Sequence, residues 1–443
     1  MGQYTAVKKI ESQNLDTVLT ELKAFSTVII GFHKSDDSPW KSYEFSNKEL
    51  VWLQEISRKH KVILVVFAKP YALNSIKSFL NIESVLLAYQ NHKISQRIAA
   101  QIIFGALPTK GKLPVSINDS PYKEGFGVEN PSVGRLAYGA AEAVGMSSKR
   151  LVKLDSMAQL SIDYQMTPGL QLLVARKGKV VYHKSFGHHN YDKTRKVANT
   201  DLYDVASLTK ILVTLPLLME LVETGVVSLD DRLGRLLPAY KNSNKSQMSL
   251  KEMLSHHARL KPWIPFYKAT LDSTSKQPNS DFFRTVKSKD FPIKISDQKY
   301  LRVDFTDSIH QKIIDSELLE KKEYRYSDLP YYIVKELIET HYDLPLDSLI
   351  QQRFYKPIGA NFSTYNPLDQ FDKSQIIPTE EDDYFRFETV HGYVHDMGAA
   401  MQNGVGGHAG LFSNANDVAK LMQMFLQNGA YGGERFLKPQ TFD

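Results

Sequence analysis

A run of apolar residues restricts most strongly how this chain can fold. Lys61-Val-Ile-Leu-Val-Val-Phe67 has no polar residue after its first position, and the segment Asn47 to His60 before it places Leu50, Leu53 and Ile56 at helical spacing. A strand without polar alternation is typical of a parallel sheet that helices cover on both faces. The run is too short for a membrane span, which needs about 18 apolar residues. It therefore predicts an α/β domain.

The same alternation of strand and helix continues through residue 118. Strands are expected at Ser26–Gly31 and Ser84–Tyr89, and helices around Ile76–Leu80 and at Ile94–Phe104. Repeats of this length predict βαβ units in a first domain over residues 1–118, an α/β parallel-sheet sandwich.

The periodicity then disappears into Gly, Pro, Ser and Asn, which predicts a linker over 119–146. A second domain is expected at 147–443. There Leu170–Arg176 and Val180–Phe186 flank Lys177-Gly-Lys179, the pattern of an antiparallel hairpin. Helical patterns follow at 208–224 and 417–427, whereas 262–320 is polar and predicts few regular elements.

Composition excludes several classes of function. The chain has 443 residues, a net charge of +6 and no cysteine. No run of five or six like charges marks a nucleic-acid-binding arm, so no nucleic-acid partner is expected. Thiol nucleophiles and Cys-ligated metals are excluded. Residues 1–14 lack the apolar core of a secretory signal, and no membrane span is expected.

The motif Ser207-Leu-Thr-Lys210, S-x-x-K, opens a strongly apolar helical pattern. Residues three apart share one face of a helix, so the Lys210 amine can reach the Ser207 hydroxyl. A serine becomes a good nucleophile only when a neighbouring group takes its proton. Taken alone, the motif fits equally a serine helix cap followed by a solvated lysine.

A second motif, Tyr326-Ser-Asp328, precedes another apolar helix pattern. Paired with the upstream S-x-x-K, it resembles the Y-x-N element of serine β-lactamases and penicillin-binding proteins. The region from 147 onward is similar to the class C and family VIII esterase branch of that family, through Asp204–Lys210, Leu254–His256 and Gly406–Ser413. The resemblance implies an α+β fold with an antiparallel sheet.

The resemblance also implies roles for four residues. Ser207 would be the acylated nucleophile, Lys210 its proton partner and Tyr326 the general acid–base. Asp328 stands where the family commonly has Asn, and a carboxylate there would favour a charged Lys210 and shift the base role to Tyr326. The implied substrate is a small ester, amide or peptidoglycan-type peptide or sugar, with no cofactor and no metal.

The family's third motif, K-T-G or H-x-G on a late strand, has one candidate in Gly407-His-Ala-Gly410. His408 is either that motif or a structural residue of a glycine-rich segment, which a helix follows with Ser413 or Asn414 as its cap and Asp417 in its first turn. Because the family's last strands would follow about residue 440, the chain is expected to be a fragment truncated at both ends.

The first domain has a separate resemblance. Val65–Leu73, Ala99–Gly105 and Gly111–Ser116 look like the C-terminal sandwich of family 3 glycoside hydrolases. This implies a bifunctional, exported parent of the bacterial periplasm or envelope, joining a β-N-acetylhexosaminidase-like enzyme to a serine hydrolase. The nucleophile of that family lies on a preceding barrel, so no residue of 1–118 is assigned a catalytic role. The alternative is a glycosidase fragment whose second domain is a non-catalytic binding module.

Three weaker features leave alternatives open. The pairs His188-His189 and His256-His257 are metal ligands or structural histidines. Pro262–Tyr267 either lines a cleft or packs an insertion. Glu380–Asp383 is a weak cation site or a solvated loop.

Overall fold

The computed structural model describes residues 1–34 and 40–442. The chain divides into two compact units, Met1–Tyr138 and Gly139–Asp443.

The first unit is built on a three-stranded parallel sheet. Its strands are Thr27–His33, Lys61–Phe67 and Ile82–Leu87, with Lys61–Phe67 in the centre. This central strand has the predicted bounds. Alternate side chains of the strand enter two separate apolar clusters, one containing Val62, Leu64 and Val66 and the other Val65 and Phe67. A strand buried on both faces explains why its sequence lacks polar alternation.

The helices of this unit are Leu15–Leu22, Asn47–Ser57 and Lys93–Ile103. The prediction of a helix around Ile76–Leu80 is wrong. A 3₁₀ turn, Pro70–Ser75, begins at the proline and ends before Ile76, which is extended. Leu80 is 93% exposed, so the apolar spacing there does not reflect a buried helical face.

The second unit contains the predicted hairpin, Gly169–Arg176 paired antiparallel with Lys179–Gly187. Both residues of the turn have positive φ, 50° at Lys177 and 72° at Gly178. Two successive positive φ angles define the type I′ turn, whose twist matches that of the strands. Helices Lys153–Asp163 and Ala415–Leu426 contact the hairpin.

The remaining strands of the chain are short. They are Ala137–Tyr138, Tyr203–Asp204, Phe283–Arg284, Ile293–Ser296, Lys299–Leu301, Glu380–Asp382, Glu388–Val390, Phe412–Ser413, Ala430–Tyr431 and Glu434–Arg435. The other α-helices are Ser148–Leu151, Leu215–Glu223, Leu233–Leu236, Leu250–Leu254, Phe305–Asp315, Leu329–Tyr342, Leu346–Ile350, Lys356–Ile358 and Met397–Ala400.

Segment 262–320 is more regular than its sequence predicts. It contains a three-stranded antiparallel sheet and the helix Phe305–Asp315. The strands have two to four residues, too few to show a two-residue period among many polar positions. Their buried residues are Phe283, Ile293, Ile295, Ser296 and Leu301.

The helical pattern predicted at 208–224 corresponds to three consecutive helical segments of different types. Ala206–Leu208 is a 3₁₀ turn, Lys210–Thr214 is a π turn, and Leu215–Glu223 is an α-helix with Pro216 near its start. Proline has no N–H to give the carbonyl four residues earlier, that of Leu212. The hydroxyl of buried Tyr355 donates to this carbonyl at 3.1 Å instead. A side chain from a distant helical segment thus completes the turn that follows the S-x-x-K motif.

Among the residues with described structure, no helix is both long and apolar enough to cross a membrane.

We expect Tyr355→Phe to lower the free energy of unfolding by about 1–3 kcal/mol, because it removes the hydroxyl that donates to the buried Leu212 carbonyl. Denaturant unfolding followed by circular dichroism measures this. Tyr240→Phe is the matched control, since the Tyr240 hydroxyl is also buried but has no partner among the described residues. Removing that hydroxyl should be neutral or stabilising. Equal losses in the two variants would contradict the assignment.

Candidate active site

Ser207 lies in a strained turn directly after the short strand Tyr203–Asp204. The preceding residue, Ala206, has φ 45°, a left-handed conformation that costs a residue with a side chain about 1–2 kcal/mol. The Asp204 carboxylate holds the turn, because one oxygen accepts from the Ala206 N–H at 2.8 Å and the other from the His395 N–H at 2.7 Å. Ser207 is left exposed.

Asp204 was not among the predicted site residues. Burial raises its pKa, although the two N–H donors and His395 oppose that shift. Its sequence signal is weak, because an aspartate two residues before a helical turn is an ordinary local cap.

Lys210 is buried, with a 4% exposed side chain, and its ammonium has three acceptors. The distances from Nζ are 2.8 Å to Ser207 Oγ, 2.7 Å to Asp328 Oδ1 and 3.3 Å to the carbonyl oxygen of His408. Three acceptors match the three N–H donors of an ammonium group. The lysine is thus a fixed positive charge in contact with the serine oxygen.

Tyr326 contacts Lys210 with its ring. Nζ lies 5.0 Å from the centroid of Tyr326 and 5.4 Å from that of Tyr331, distances at which the ring faces attract a cation. Tyr326 is 42% exposed, and its hydroxyl makes no hydrogen bond within the part of the chain that the structure describes. The structure thus brings all four predicted residues together, with Tyr326 in ring contact only.

Asp328 can pair with Lys210 because its neighbour caps the helix. Ser327 Oγ accepts from the N–H of Leu329, the first residue of helix Leu329–Tyr342, at 3.2 Å and donates to the Lys261 carbonyl at 2.6 Å. The Asp328 N–H donates to the Pro262 carbonyl at 2.9 Å. The carboxylate itself makes no cap hydrogen bond and is free for Lys210.

The glycine-rich segment 405–408 is held by its carbonyl groups. Four successive backbone oxygens each accept from a side chain elsewhere in the unit. The pairs are Val405 with Lys335 Nζ at 2.7 Å, Gly406 with the Tyr365 hydroxyl at 2.8 Å, Gly407 with Thr214 Oγ1 at 2.6 Å and His408 with Lys210 Nζ at 3.3 Å. A Cβ at Gly407 would lie 2.2 Å from the Tyr331 carbonyl oxygen, so only glycine fits there.

The His408 side chain serves a different contact from its carbonyl. It is 1% exposed, Nε2 lies 2.8 Å from Asp396 Oδ1, and the ring stacks on Tyr332 at 4.3 Å between centroids. Burial by itself raises the pKa of Asp396, but the charge and hydrogen bond of His408 and the Ala399 N–H outweigh it and hold the pKa well below its usual value. Only the backbone of His408 reaches Lys210.

A cleft adjoins Asp328. Its lining residues are Trp263, Ile264, Phe266, Tyr267, Asp328, Leu329, Tyr332, Asp396, Met397 and Gly398. The aromatic segment Pro262–Tyr267 therefore supplies one wall of a cleft beside the site.

The other predicted features have structural partners. Buried His189 lies 2.8 Å from Asp201, and buried Asp382 pairs with Arg386. Asn414 caps helix Ala415–Leu426 with Asp417 in its first turn, as predicted. No group of three or more His, Asp or Glu residues in the described ranges could hold a metal ion.

We expect Thr214→Val to reduce the free energy of unfolding by about 1–2 kcal/mol, because valine has a similar shape but cannot donate to the buried Gly407 carbonyl. Thermal or denaturant unfolding gives the value. Thr224→Val is the control: Thr224 is exposed and donates to the Glu220 carbonyl of its own helix, so water can replace it. The two variants unfolding alike would argue against the role of Thr214.

Comparison with known proteins gives a consistent family assignment. Residues 155–442 match the sequence profile of the Beta-lactamase family. Proteins named "Putative D-alanyl-D-alanine carboxypeptidase" from Salmonella gallinarum and Salmonella paratyphi B are each 31% identical over 341 residues, covering 71% of this chain and 72% of the relative.

Among solved structures, the octameric penicillin-binding protein homologue from Pyrococcus abyssi is similar, with a TM-score of 0.49 and 19% identity. The match covers 66% of this chain and 59% of that protein, less than two thirds of its length. On the profile match and the curated relatives, the chain belongs to the Beta-lactamase family of serine hydrolases.

Proposed function

We propose that the chain hydrolyses its substrate through an acyl-enzyme on Ser207. The observation that supports this most directly is the contact of the buried Lys210 ammonium with both Ser207 Oγ and Asp328. A fixed cation beside a hydroxyl favours the negative charge that develops on that oxygen during attack.

The proposed reaction has two steps. Ser207 Oγ attacks the substrate carbonyl carbon and passes its proton to the Tyr326 hydroxyl, which gives its own proton to the leaving group as the C–N or C–O bond breaks. Water then hydrolyses the serine ester and restores the hydroxyl. Tyr326 is preferred over Lys210 as the base because Lys210 Nζ already has three acceptors. Substrate binding must then bring the Tyr326 hydroxyl toward Ser207.

The substrate class that we propose is a small peptide ending in D-alanyl-D-alanine, or an ester of similar size. The names of the Salmonella relatives support the peptide, and aromatic side chains that could pack against a small substrate lie beside Asp328. Such peptides belong to peptidoglycan, so we further propose that the protein acts in the bacterial cell envelope.

We expect Ser207→Ala to reduce hydrolysis of p-nitrophenyl acetate and of a D-alanyl-D-alanine tripeptide at least about 10³-fold, because it removes the nucleophile. It should also abolish labelling by a fluorescent penicillin or fluorophosphonate. Ser156→Ala, at an exposed position of helix Lys153–Asp163, is the control and should keep full activity and labelling. Undiminished hydrolysis by folded Ser207→Ala protein would overturn the proposal.

We also infer that residues 1–118 correspond to the C-terminal sandwich of family 3 glycoside hydrolases, joined by 119–146 to a serine hydrolase domain at 147–443. The support is the parallel sheet with its doubly buried central strand. In this proposal the parent is bifunctional. The alternative, in which the second domain only binds and the glycosidase acts in the full-length parent, predicts an inert Ser207.

On this inference the 443-residue chain should not hydrolyse p-nitrophenyl N-acetylglucosaminide or aryl β-glucosides, since the sheets among its described residues have at most three strands and include no barrel. A release assay for p-nitrophenol, with a purified β-N-acetylhexosaminidase as positive control, checks this. Turnover that a substitution within 1–118 abolishes would show that the first domain is misassigned.

A further inference from the structure

His256 is joined to the backbone on both sides of Tyr326. It follows helix Leu250–Leu254 with φ 60°, and its carbonyl oxygen accepts from the Arg325 N–H at 2.8 Å. Its ring nitrogen Nδ1 accepts from the Ser327 N–H at 3.2 Å. The two residues that flank Tyr326 are thus both fixed by one histidine.

The imidazole ring also packs directly on Tyr326. The ring centroids are 4.6 Å apart with an interplanar angle of 40°, and Lys210 Nζ lies 5.0 Å from the same tyrosine ring. Tyr324 and Tyr331 contact the imidazole at 5.9 Å and 6.2 Å between centroids. The position of Tyr326 relative to Lys210 therefore depends on the histidine.

The contact with Ser327 requires a lone pair on Nδ1. A neutral imidazole has one bare nitrogen, whereas a protonated imidazole carries an N–H on both. Protonation would turn the Nδ1–Ser327 hydrogen bond into two N–H groups facing each other. It would also place a positive charge near Lys210.

The surroundings favour the neutral form. Burial and the Lys210 charge lower the pKa of His256, with His257 contributing in the same direction and Asp328 opposing. The other titratable groups that face the ring are the phenols of Tyr324, Tyr326 and Tyr331. The neutral imidazole is therefore favoured, and His256 should gain its proton at a lower pH than an ordinary histidine side chain.

We propose that His256 is a positioning residue whose neutral imidazole holds the Tyr326-Ser327-Asp328 turn against Lys210, and that its protonation releases the turn and switches the site off in acid. This rests on the proposed function for its catalytic consequence, but the geometric part stands without it. No substrate contact is assigned to His256, which acts through Tyr326 and Asp328.

The first test compares pH profiles of kcat and KM for hydrolysis of p-nitrophenyl acetate. His256→Asn puts an amide oxygen near the place of Nδ1, suits the positive φ and cannot ionise. Its kcat should stay within about threefold of the wild-type value at pH 7.5. At acid pH its kcat should fall less steeply than that of the wild type, because residue 256 can no longer be protonated. His256→Phe keeps an aromatic ring but leaves the Ser327 N–H unpaired, and should lower kcat at least about tenfold at every pH with KM little changed.

His257→Asn is the matched control, because His257 is the adjacent residue, is exposed and has its Nδ1 on the Ser255 carbonyl at 2.8 Å. It should reproduce the wild-type profile. The proposal is overturned if His256→Asn keeps the wild-type acid-side fall, or if folded His256→Phe matches wild-type kcat.

A second measurement does not depend on activity and separates this inference from the proposed function. In Ser207→Ala protein, the imidazole Cε1–H resonance of His256 should titrate below about pH 6.5, and the ring resonances of Tyr326 should shift with the same midpoint. Resonances of Tyr326 that stay fixed while His256 titrates would overturn the positioning role even if Ser207 proves to be the nucleophile. If these coupled shifts are found and the wild-type protein proves to have no hydrolase activity, the positioning role is supported and only the proposed function is contradicted.

Discussion

The second unit is organised around one buried positive charge. Lys210 Nζ contacts Ser207 three residues away, Asp328 in the turn before helix Leu329–Tyr342, and the carbonyl of His408, 198 residues along the chain. An ammonium group without partners in such a place would cost several kcal/mol in lost hydration. The fold therefore has to bring all three acceptors together, and in doing so it assembles the candidate active site. The same contacts that stabilise the charge also fix the positions of Ser207, the Asp328 carboxylate and the glycine-rich segment relative to one another.

The backbone around that charge depends on unusual hydrogen bonds rather than on regular secondary structure. A π turn begins at Lys210, and the proline after the turn cannot donate to the Leu212 carbonyl, which accepts from Tyr355 instead. A second π turn, Gln351–Tyr355, also stands just before a proline, Pro357. A buried carbonyl group freed in this way must find a donor, which ties the first turn to the distant side chain of Tyr355. The proline that makes the backbone irregular is thus also the reason for a hydrogen bond between distant parts of the chain.

How much the sequence predicts varies with the kind of interaction. The sequence predicts the central strand Lys61–Phe67 with its bounds because every residue after Lys61 is apolar, as burial on both faces requires. Ser207, Lys210, Tyr326 and Asp328 were selected from two short motifs and a family resemblance, and the structure places them in contact. Their catalytic roles stay a prediction. The prediction of a helix around Ile76–Leu80 is wrong, because the apolar residues there have helical spacing but do not form a buried helical face.

The features that the sequence did not reveal depend on the backbone or on partners far along the chain. The glycine-rich segment contributes backbone carbonyl oxygens, which every residue has. Its amino-acid sequence therefore does not predict the four side chains that donate to these oxygens. The sequence places His256 in a histidine pair and in a segment of the family resemblance, but it does not reveal its positioning contacts, which are with residues 68 to 75 positions away. From the sequence, Asp204 is an ordinary local cap. Only the structure shows that its second carboxylate oxygen accepts a hydrogen bond from the His395 N–H.

The left-handed Ala206 has a consequence for interpreting related sequences. Glycine, asparagine and aspartate adopt this conformation most readily and alanine adopts it here, whereas a β-branched side chain would be driven out of it and the serine after it would change direction. A relative that keeps serine and lysine three apart but carries valine or isoleucine just before the serine has therefore reshaped the turn. The residue before the motif therefore indicates whether a relative can keep the serine in this orientation.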